Sequence, residues 1–215
     1  MNIYRYRLVF GRNEKAKNMS HHEQIKFFRN FLKEKIPYIV SDRKISFGPA
    51  ISCGYESLCE YIDLYLFQRI DFADFEKILR DTREKGFELL KAFSVPVFFP
   101  SIENSVEISE FEIYLSELDE SIIFNVNEND KKKEIIYEKH KTDGTIKAIN
   151  LKDFVFDCEI DKRKNAVILY IKHIYGVTIK PEIVLKLFCG YEGEIKKIVR
   201  KNFYWIDSNR KLNIL

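Results

Sequence analysis

Two adjacent histidines are the residues of this chain that most directly suggest chemistry. His21 and His22 could each bind a metal or transfer a proton near neutral pH, because imidazole titrates in that range. Neighbouring side chains on a helix point about 100° apart, and no spacing supplies further ligands, so we predict no metal site and no cofactor. A helix that begins here would disfavour the imidazolium form of His21 through its dipole, which leaves a neutral acceptor.

Two carboxylates form a second candidate. Glu60 and Asp63 lie on a predicted strand, where side chains three residues apart point to opposite faces. They therefore do not make a paired-carboxylate acid–base site. Glu60 shares a face with Ile62, and if that face is buried, its charge needs a partner such as Arg5 or Arg7 from a neighbouring strand. We predict a structural ion pair here.

Basic residues surround the first and the last predicted strands: Arg5, Arg7, Arg12, Lys15 and Lys17, then Lys196, Lys197, Arg200, Lys201, Arg210 and Lys211. Cations beside aromatic side chains can hold phosphates and stack bases, although a solvated charged face has the same composition. If the two predicted sheets abut, these stretches could line one basic groove. The turn around Gly54 could cradle an anion or be a plain connection, and it matches no phosphate-binding motif.

The composition indicates a compact folded protein. The chain has 215 residues, of which 46% are hydrophobic, and its formal net charge of +3 is too small to indicate a protein that coats duplex nucleic acid. No apolar run reaches the ~20 residues of a membrane span, and the start lacks a signal-peptide pattern, so we predict a cytoplasmic protein without membrane contact. The four cysteines contain no C-x-x-C pair and are predicted to be reduced packing residues.

Hydrophobic periodicity predicts an α+β fold of two tandem ferredoxin-like units, each a split βαβ antiparallel sheet. In residues 1–97 we expect a strand at 4–10, a helix from the capping box of Ser20 and Glu23 to Pro37, and strands at 44–47 and 60–67. A second helix capped by Asp71 and ended by Gly86, then a strand at 87–95, complete this unit. Residues 98–106 are predicted to be a linker.

Residues 107–215 are predicted to form the second, degenerate ferredoxin-like unit. We expect strands at 107–115 and 134–138, a hairpin of strands 154–160 and 166–172, and a closing strand at 194–205. Pro181 suits the first turn of a short helix, and Gly190 suits its exit. The polar residues 125–133 are predicted to be a mobile loop.

Several motifs in the amino-terminal part resemble the radical SAM-linked protein family, a bacterial domain of unknown function found beside or fused to radical S-adenosylmethionine (SAM) enzymes. In chain order, these motifs are Arg5 and Arg7, Ser20-His21, Ser46-Phe47-Gly48-Pro49-Ala50, Gly54, Ser57 and Glu60-Tyr61-Ile62-Asp63. The likeness continues more weakly through Pro181-Glu182-Ile183-Val184-Leu185 and Ile198-Val199-Arg200. It implies a radical SAM enzyme as partner. The chain has no C-x-x-x-C-x-x-C motif of its own for an iron–sulfur cluster, so it would be an accessory.

We therefore expect a non-catalytic accessory protein that binds RNA or another macromolecular substrate for a radical SAM enzyme. The residues expected to bind are Arg5, Arg7, His21, Arg200 and the turn around Gly54. A catalytic alternative is a metal-independent endoribonuclease similar to those that process CRISPR repeats, in which His21 acts as general acid–base and a Lys or Arg stabilises the phosphorane charge. A third alternative is a structural interaction domain that binds no nucleic acid.

Overall fold

The computed structural model describes residues 2–41, 44–140, 143–174, 177–209 and 211–215, so Arg210 of the predicted basic stretch lies outside it. The described chain divides into two compact units. The first comprises Met1–Val106, Val199–Asn202 and Leu215, and the second comprises Glu107–Ile198 and Phe203–Ile214. The first unit therefore includes the segment predicted to be a linker, together with residues 199–202 near the carboxyl end.

The first unit contains, in chain order, β1 (Tyr4–Arg12), α1 (His21–Lys35), β2 (Ile45–Phe47), β3 (Glu56–Leu66), α2 (Phe72–Leu79), a 3₁₀ helix (Arg80–Lys85), β4 (Phe87–Val95) and α3 (Ile102–Ser105). Up to β4, strands and helices follow each other in the predicted order. The strands lie in the order β4-β1-β3-β2, and each neighbouring pair is antiparallel.

The prediction of a purely antiparallel sheet is wrong at one edge of the first unit. Val199 and Arg200 pair in parallel with Glu56 and Ser57 of β3, so the sheet is mixed. The reason is the length of β2, which has only three residues and pairs with residues 62–64 of β3. Backbone groups at the start of β3 are then available to a further strand on that edge.

Helix α1 begins and ends where local sequence signals predict. The Ser20 hydroxyl accepts a hydrogen bond from the Glu23 amide at 3.2 Å, and the Glu23 carboxylate accepts one from the Ser20 amide at 2.7 Å. These two bonds are the predicted capping box and satisfy amides that the helix itself leaves unpaired. The helix ends two residues before Pro37, and Gly86 ends the 3₁₀ helix in the left-handed region with φ 87°.

The core of the first unit lies between one face of its sheet and the helices α1 and α2. The ring of Phe28 in α1 lies 4.7 Å from that of Phe10 and 4.8 Å from that of Phe87. Tyr6 contacts Phe75 of α2 at 5.2 Å between ring centroids. Each such buried ring contributes about 1.5–3 kcal/mol, so this packing holds α1 in place against the sheet.

The second unit contains β5 (Ile108–Leu115), α4 (Glu120–Lys131), β6 (Ile136–His140), β7 (Ile146–Asn150), α5 (Leu151–Phe154), β8 (Val155–Asp161), β9 (Ala166–Lys172), α6 (Pro181–Leu187), most of β10 (Ile195–Ile206) and β11 (Leu212–Ile214). Its strands lie in the order β10-β5-β9-β8, with β11 on β10, and β6 and β7 form a separate two-stranded sheet. The predicted hairpin is present as β8 and β9. Among the residues that the structure describes, none of the helices has the length and hydropathy of a membrane span.

The prediction of a mobile loop at 125–133 is wrong, because α4 covers most of it. The Asp119 carboxylate caps the helix by accepting from the Ser121 amide at 2.9 Å. Asn129 is buried and donates from Nδ2 to the Phe188 carbonyl at 2.7 Å. Few of the helix side chains are apolar and buried, so the segment looks like a loop in the sequence although tertiary contacts hold it helical.

Candidate functional site

Strand β3 carries the two predicted carboxylates on opposite faces. Its register places Glu60 opposite Phe10 of β1 and Asp63 opposite Arg7. Because Phe10 belongs to the core under the helices, Glu60 points toward α1 and Asp63 points to the other face. Both carboxylates are buried, so each requires its own cationic partner.

Asp63 is held by Arg5 and Arg7, and we call these three residues the Asp63 cluster. Arg5 Nη2 donates to Oδ2 at 2.6 Å, while Arg7 donates from Nε to Oδ1 at 2.8 Å and from Nη2 to Oδ2 at 3.0 Å. Arg5 also donates to the carbonyls of Phe99 and Pro100, at 2.5 and 2.7 Å. Only 1% of Arg5 and 6% of Arg7 is exposed, so both guanidinium groups are engaged inside the protein.

Glu60 is held by a different group, which we call the Glu60 cluster: Arg12, Gln24, Glu60 and Arg200. Arg200 Nη2 donates to Oε1 of Glu60 at 2.5 Å, and Gln24 Nε2 donates to Oε2 at 2.7 Å. Arg12 Nη1 in turn donates to Oε1 of Gln24 at 3.0 Å. The face of β3 that carries Glu60 is buried, and the structural ion pair predicted for that case is present, with Arg200 as the partner and not Arg5 or Arg7.

Charges in the Glu60 cluster stabilise one another. Burial raises the pKa of Glu60, but the charge of Arg200 and hydrogen bonds from Ser57, Gln24 and Arg200 outweigh burial and hold its pKa below the ordinary value. Burial also lowers the pKa of Arg12. The carboxylate is thus ionised in the folded protein, and it compensates the two buried guanidinium groups beside it.

His21 stands at the first residue of α1, next to the Glu60 cluster. One ring nitrogen, Nδ1, is buried and has no hydrogen-bond partner among the described residues. Burial lowers the pKa of His21, and the charges of Arg200 and Arg12 lower it further, against the opposite effect of Glu60. The ring is therefore neutral at pH 7, as the helix position also predicts.

A cavity of about 400 Å³ opens beside His21. Its walls come from the α1 side chains His21, Ile25 and Arg29, from residues 45–50 of β2 and the following turn, and from Ser101 and Glu103 near α3. The guanidinium of Arg29 lies over the ring of Phe47, 5.8 Å from its centroid. Arg200 supports the turn from behind, because its Nη1 donates to two consecutive carbonyls, those of residues 49 and 50, each at 3.0 Å.

The turn around Gly54 is exposed and does not line this cavity. Gly54 has φ 90°, which only glycine adopts without strain, and open space surrounds the position of a side chain. Its amide donates to the Lys17 carbonyl at 2.6 Å, and Arg12 donates to the same oxygen at 2.8 Å. The turn is therefore tied to the Glu60 cluster through one carbonyl.

The structure brings together some of the predicted site residues and separates others. His21 lines the cavity, and Arg200 holds the turn that forms part of its wall. Arg5 and Arg7, in contrast, lie on the opposite face of β1 from Arg12. Within the first unit, the arginines of β1 therefore do not share one surface, because alternate residues of a strand point to opposite faces.

Sequence reasoning missed Gln24, Arg29 and Glu103. Arg29 could have been found, since it lies two helical turns after His21 on the same face of α1. Glu103 carried no signal, because it lies in the segment predicted to be a linker. The described residues contain no group of three or more His, Cys, Asp and Glu side chains arranged to hold a metal ion.

Comparisons with known proteins give a family and a distant structural likeness. No curated protein matches the chain. A chain in a structure titled "Crystal Structure of a Cbf5-Nop10-Gar1 Complex" is similar with 13% sequence identity and a TM-score of 0.46, over 92% of this chain and 48% of that chain. A likeness at this level indicates nothing about function. None of these matches mentions a radical SAM enzyme, and that link stays a prediction. A family model described as "Uncharacterized protein conserved in bacteria (DUF2344)" matches residues 5–181, so the chain belongs to this uncharacterized bacterial family.

Proposed function

We propose that this protein is a non-catalytic accessory that holds a nucleotide of single-stranded RNA in the cavity beside His21. The observation that carries the proposal is the buried, unpartnered Nδ1 of a neutral histidine in the wall of a cavity of about 400 Å³. An unpaired buried polar atom costs about 1–3 kcal/mol, which a ligand that completes the hydrogen bond would recover. The volume lies within the range of ordinary ligand sites.

The lining of the cavity suits a nucleotide. The guanidinium of Arg29 lies over the ring of Phe47, so a base can stack on the outer face of this pair and the guanidinium edge can contact a phosphate. Ser46 and Ser101 add hydroxyl groups that can donate or accept. Stacking on an aromatic ring beside an arginine is the usual mode by which proteins bind single-stranded RNA.

We propose in addition that the two units share one topology. With the β6–β7 sheet set aside, the second unit has a strand order, β10-β5-β9-β8, that matches the order β4-β1-β3-β2 of the first unit position by position. We take both units to be ferredoxin-like, with β6 and β7 inserted in the second. The test is an experimental structure of the whole chain.

A radical SAM enzyme is the partner that the motif resemblance implies, and the cytoplasm is the expected location. A surface suited to a protein partner is the apolar segment of Val97, Phe98 and Phe99, in which Phe98 is 86% exposed. Arg5 fixes this segment by donating to the carbonyls of residues 99 and 100. Exposed aromatic side chains on a fixed backbone contribute strongly to protein interfaces.

The endoribonuclease alternative has one observation in its favour. His21 is neutral and its pKa is lowered, so it could accept a proton from a ribose hydroxyl at neutral pH. In that mechanism, Arg29 would stabilise the charge of the phosphorane. The two hypotheses predict different fates for the bound RNA, because a nuclease cleaves the strand and an accessory protein leaves it intact.

RNA binding is tested by fluorescence polarisation of short labelled single-stranded oligonucleotides at low salt with EDTA present. We expect Phe47→Ala to weaken binding roughly tenfold, because Arg29 loses the ring that holds it in place for stacking, and Arg29→Ala to weaken binding and reduce its salt dependence. Arg69→Ala is the matched control, since Arg69 also lies over an aromatic ring, that of Tyr4, outside the cavity. Equal loss in the control, or no binding by the unmodified protein, overturns the proposal.

The same samples distinguish the two readings of His21. Intact RNA after long incubation supports an accessory, whereas cleavage that disappears in His21→Ala supports the nuclease.

Partner binding is tested by co-expression with a radical SAM enzyme of the same genome. Phe98→Asp should abolish co-purification, and Phe72→Asp, at another exposed phenylalanine, should not.

A further inference from the structure

Two of the four cysteines lie side by side in the second unit. Cys158 is on β8 and Cys189 follows α6, and their Sγ atoms are 3.8 Å apart although 31 residues separate them in sequence. Both are free thiols. Neither the RNA-binding accessory nor the nuclease hypothesis assigns a role to this pair, and the sequence predicts only that the cysteines are packing residues.

The two thiols differ in access. Cys158 is half-buried, so a small reagent in solution can reach it, whereas Cys189 is buried. The hydrogen bond with Cys158, together with burial, raises the pKa of Cys189 and keeps it protonated. Cys158 is therefore the thiol that an oxidant meets first, with a second sulfur already in contact behind it.

We propose that Cys158 and Cys189 form a reversible disulfide when the protein meets a peroxide. Hydrogen peroxide first oxidises the Cys158 thiol to a sulfenic acid; the O–O bond breaks and one water leaves. The sulfur of Cys189 then attacks that of Cys158, the S–O bond breaks, and hydroxide leaves with the Cys189 proton as a second water. Two thiols and one peroxide thus give one disulfide and two waters.

Bond formation requires a small movement of the two sulfur atoms. A disulfide has an S–S length of about 2.05 Å, so the atoms, now 3.8 Å apart, must approach by roughly 1.8 Å. The bond would join β8 to the exit of α6 and restrain residues 190–193, which line a cavity of about 640 Å³ with residues 116–121. Disulfides in cytoplasmic proteins are usually of this transient, redox-sensing kind.

The test is treatment of the purified full chain with equimolar hydrogen peroxide, alkylation of the remaining thiols, digestion without reductant and mass spectrometry. We expect one linked peptide pair, Cys158 with Cys189, that disappears after treatment with dithiothreitol. Cys53→Ser, which removes the exposed thiol, should form the same link to the same extent, and Cys158→Ser should leave Cys189 alkylated.

Three outcomes would overturn the proposal. They are over-oxidation of Cys158 with Cys189 alkylated, linkage of Cys53 between chains in place of the internal bond, and alkylation of all four thiols. Peptide mapping of the unmodified protein decides among these results even if a cysteine variant fails to fold. The experiment does not depend on RNA binding, so its outcome and that of the proposed function are separate.

Discussion

The Asp63 cluster and the Glu60 cluster occupy opposite faces of one strand, and each has a buried carboxylate between buried arginines. In the Asp63 cluster, both carboxylate oxygens accept hydrogen bonds from arginines, and Arg5 also donates to backbone carbonyls. The Glu60 cluster instead adjoins His21, whose buried Nδ1 has no partner among the described residues. Arg5 Nε in the Asp63 cluster is also buried without a partner among the described residues, but only His21 stands in the wall of a cavity. The difference teaches that an unpartnered buried nitrogen indicates a ligand only where a cavity gives the ligand room.

Removal of the Asp63 charge should have the largest effect on stability. In Asp63→Asn, two buried guanidinium groups lose their anion, and we expect the free energy of unfolding to fall by about 3–5 kcal/mol in urea titrations. Asp74→Asn is the matched control, since Asp74 pairs with Lys77 on the surface and should change stability by less than about 0.5 kcal/mol. Similar stability of the two variants would show that the Asp63 cluster is not structural.

Glu60→Gln should destabilise the fold less than Asp63→Asn does, and it should also lower the pKa of His21. One close guanidinium, that of Arg200, loses its anion, and the remaining amide oxygen can still accept, so we expect a loss of about 2–3 kcal/mol. Because Glu60 raises the pKa of His21, its removal should lower that pKa further, which NMR titration measures. An unchanged His21 pKa would show that the charge of Glu60 does not act on the histidine in the cavity wall.

The cap of α1 should contribute less than either cluster. Ser20→Ala removes the hydroxyl that accepts from the first turn, and we expect a loss of about 1 kcal/mol in chemical unfolding. Asp71→Ala is a useful comparison, because Asp71 stands at the start of α2 without a side-chain cap bond and should cost less. The reverse order would mean that α1 is positioned by the Glu60 cluster and not by its cap.

His21 should give the smallest effect, a pH dependence of stability. Its pKa in the folded protein lies below the ordinary 6.5, so both folded and unfolded chains hold it neutral at higher pH. As pH falls through 6.5, the unfolded chain binds a proton first, and the free energy of unfolding decreases until pH passes the folded pKa. His21→Asn should remove this component from unfolding curves measured between about pH 8 and pH 5.

The sequence predicts the first unit well because its signals are local. The alternation in β1, the capping box of α1 and the glycine at 86 each act within a few residues, and the structure has them where expected. The partner of Glu60 could not be predicted, since Arg200 reaches it across 140 residues through a strand that pairs in parallel. Helix α4 was missed because its contacts with residues 188–190, not an apolar stripe, hold it.

The central claim, that the cavity beside His21 binds RNA, is tested most directly by NMR of the histidine ring nitrogens. Resonances of His21 and of its exposed neighbour His22 are followed in the unmodified protein while a short single-stranded RNA is added. We predict that the His21 Nδ1 signal shifts as its hydrogen bond forms, and that the His22 signals stay in place. Shifts confined to His22, or no shift of His21 at saturating RNA, would contradict the account.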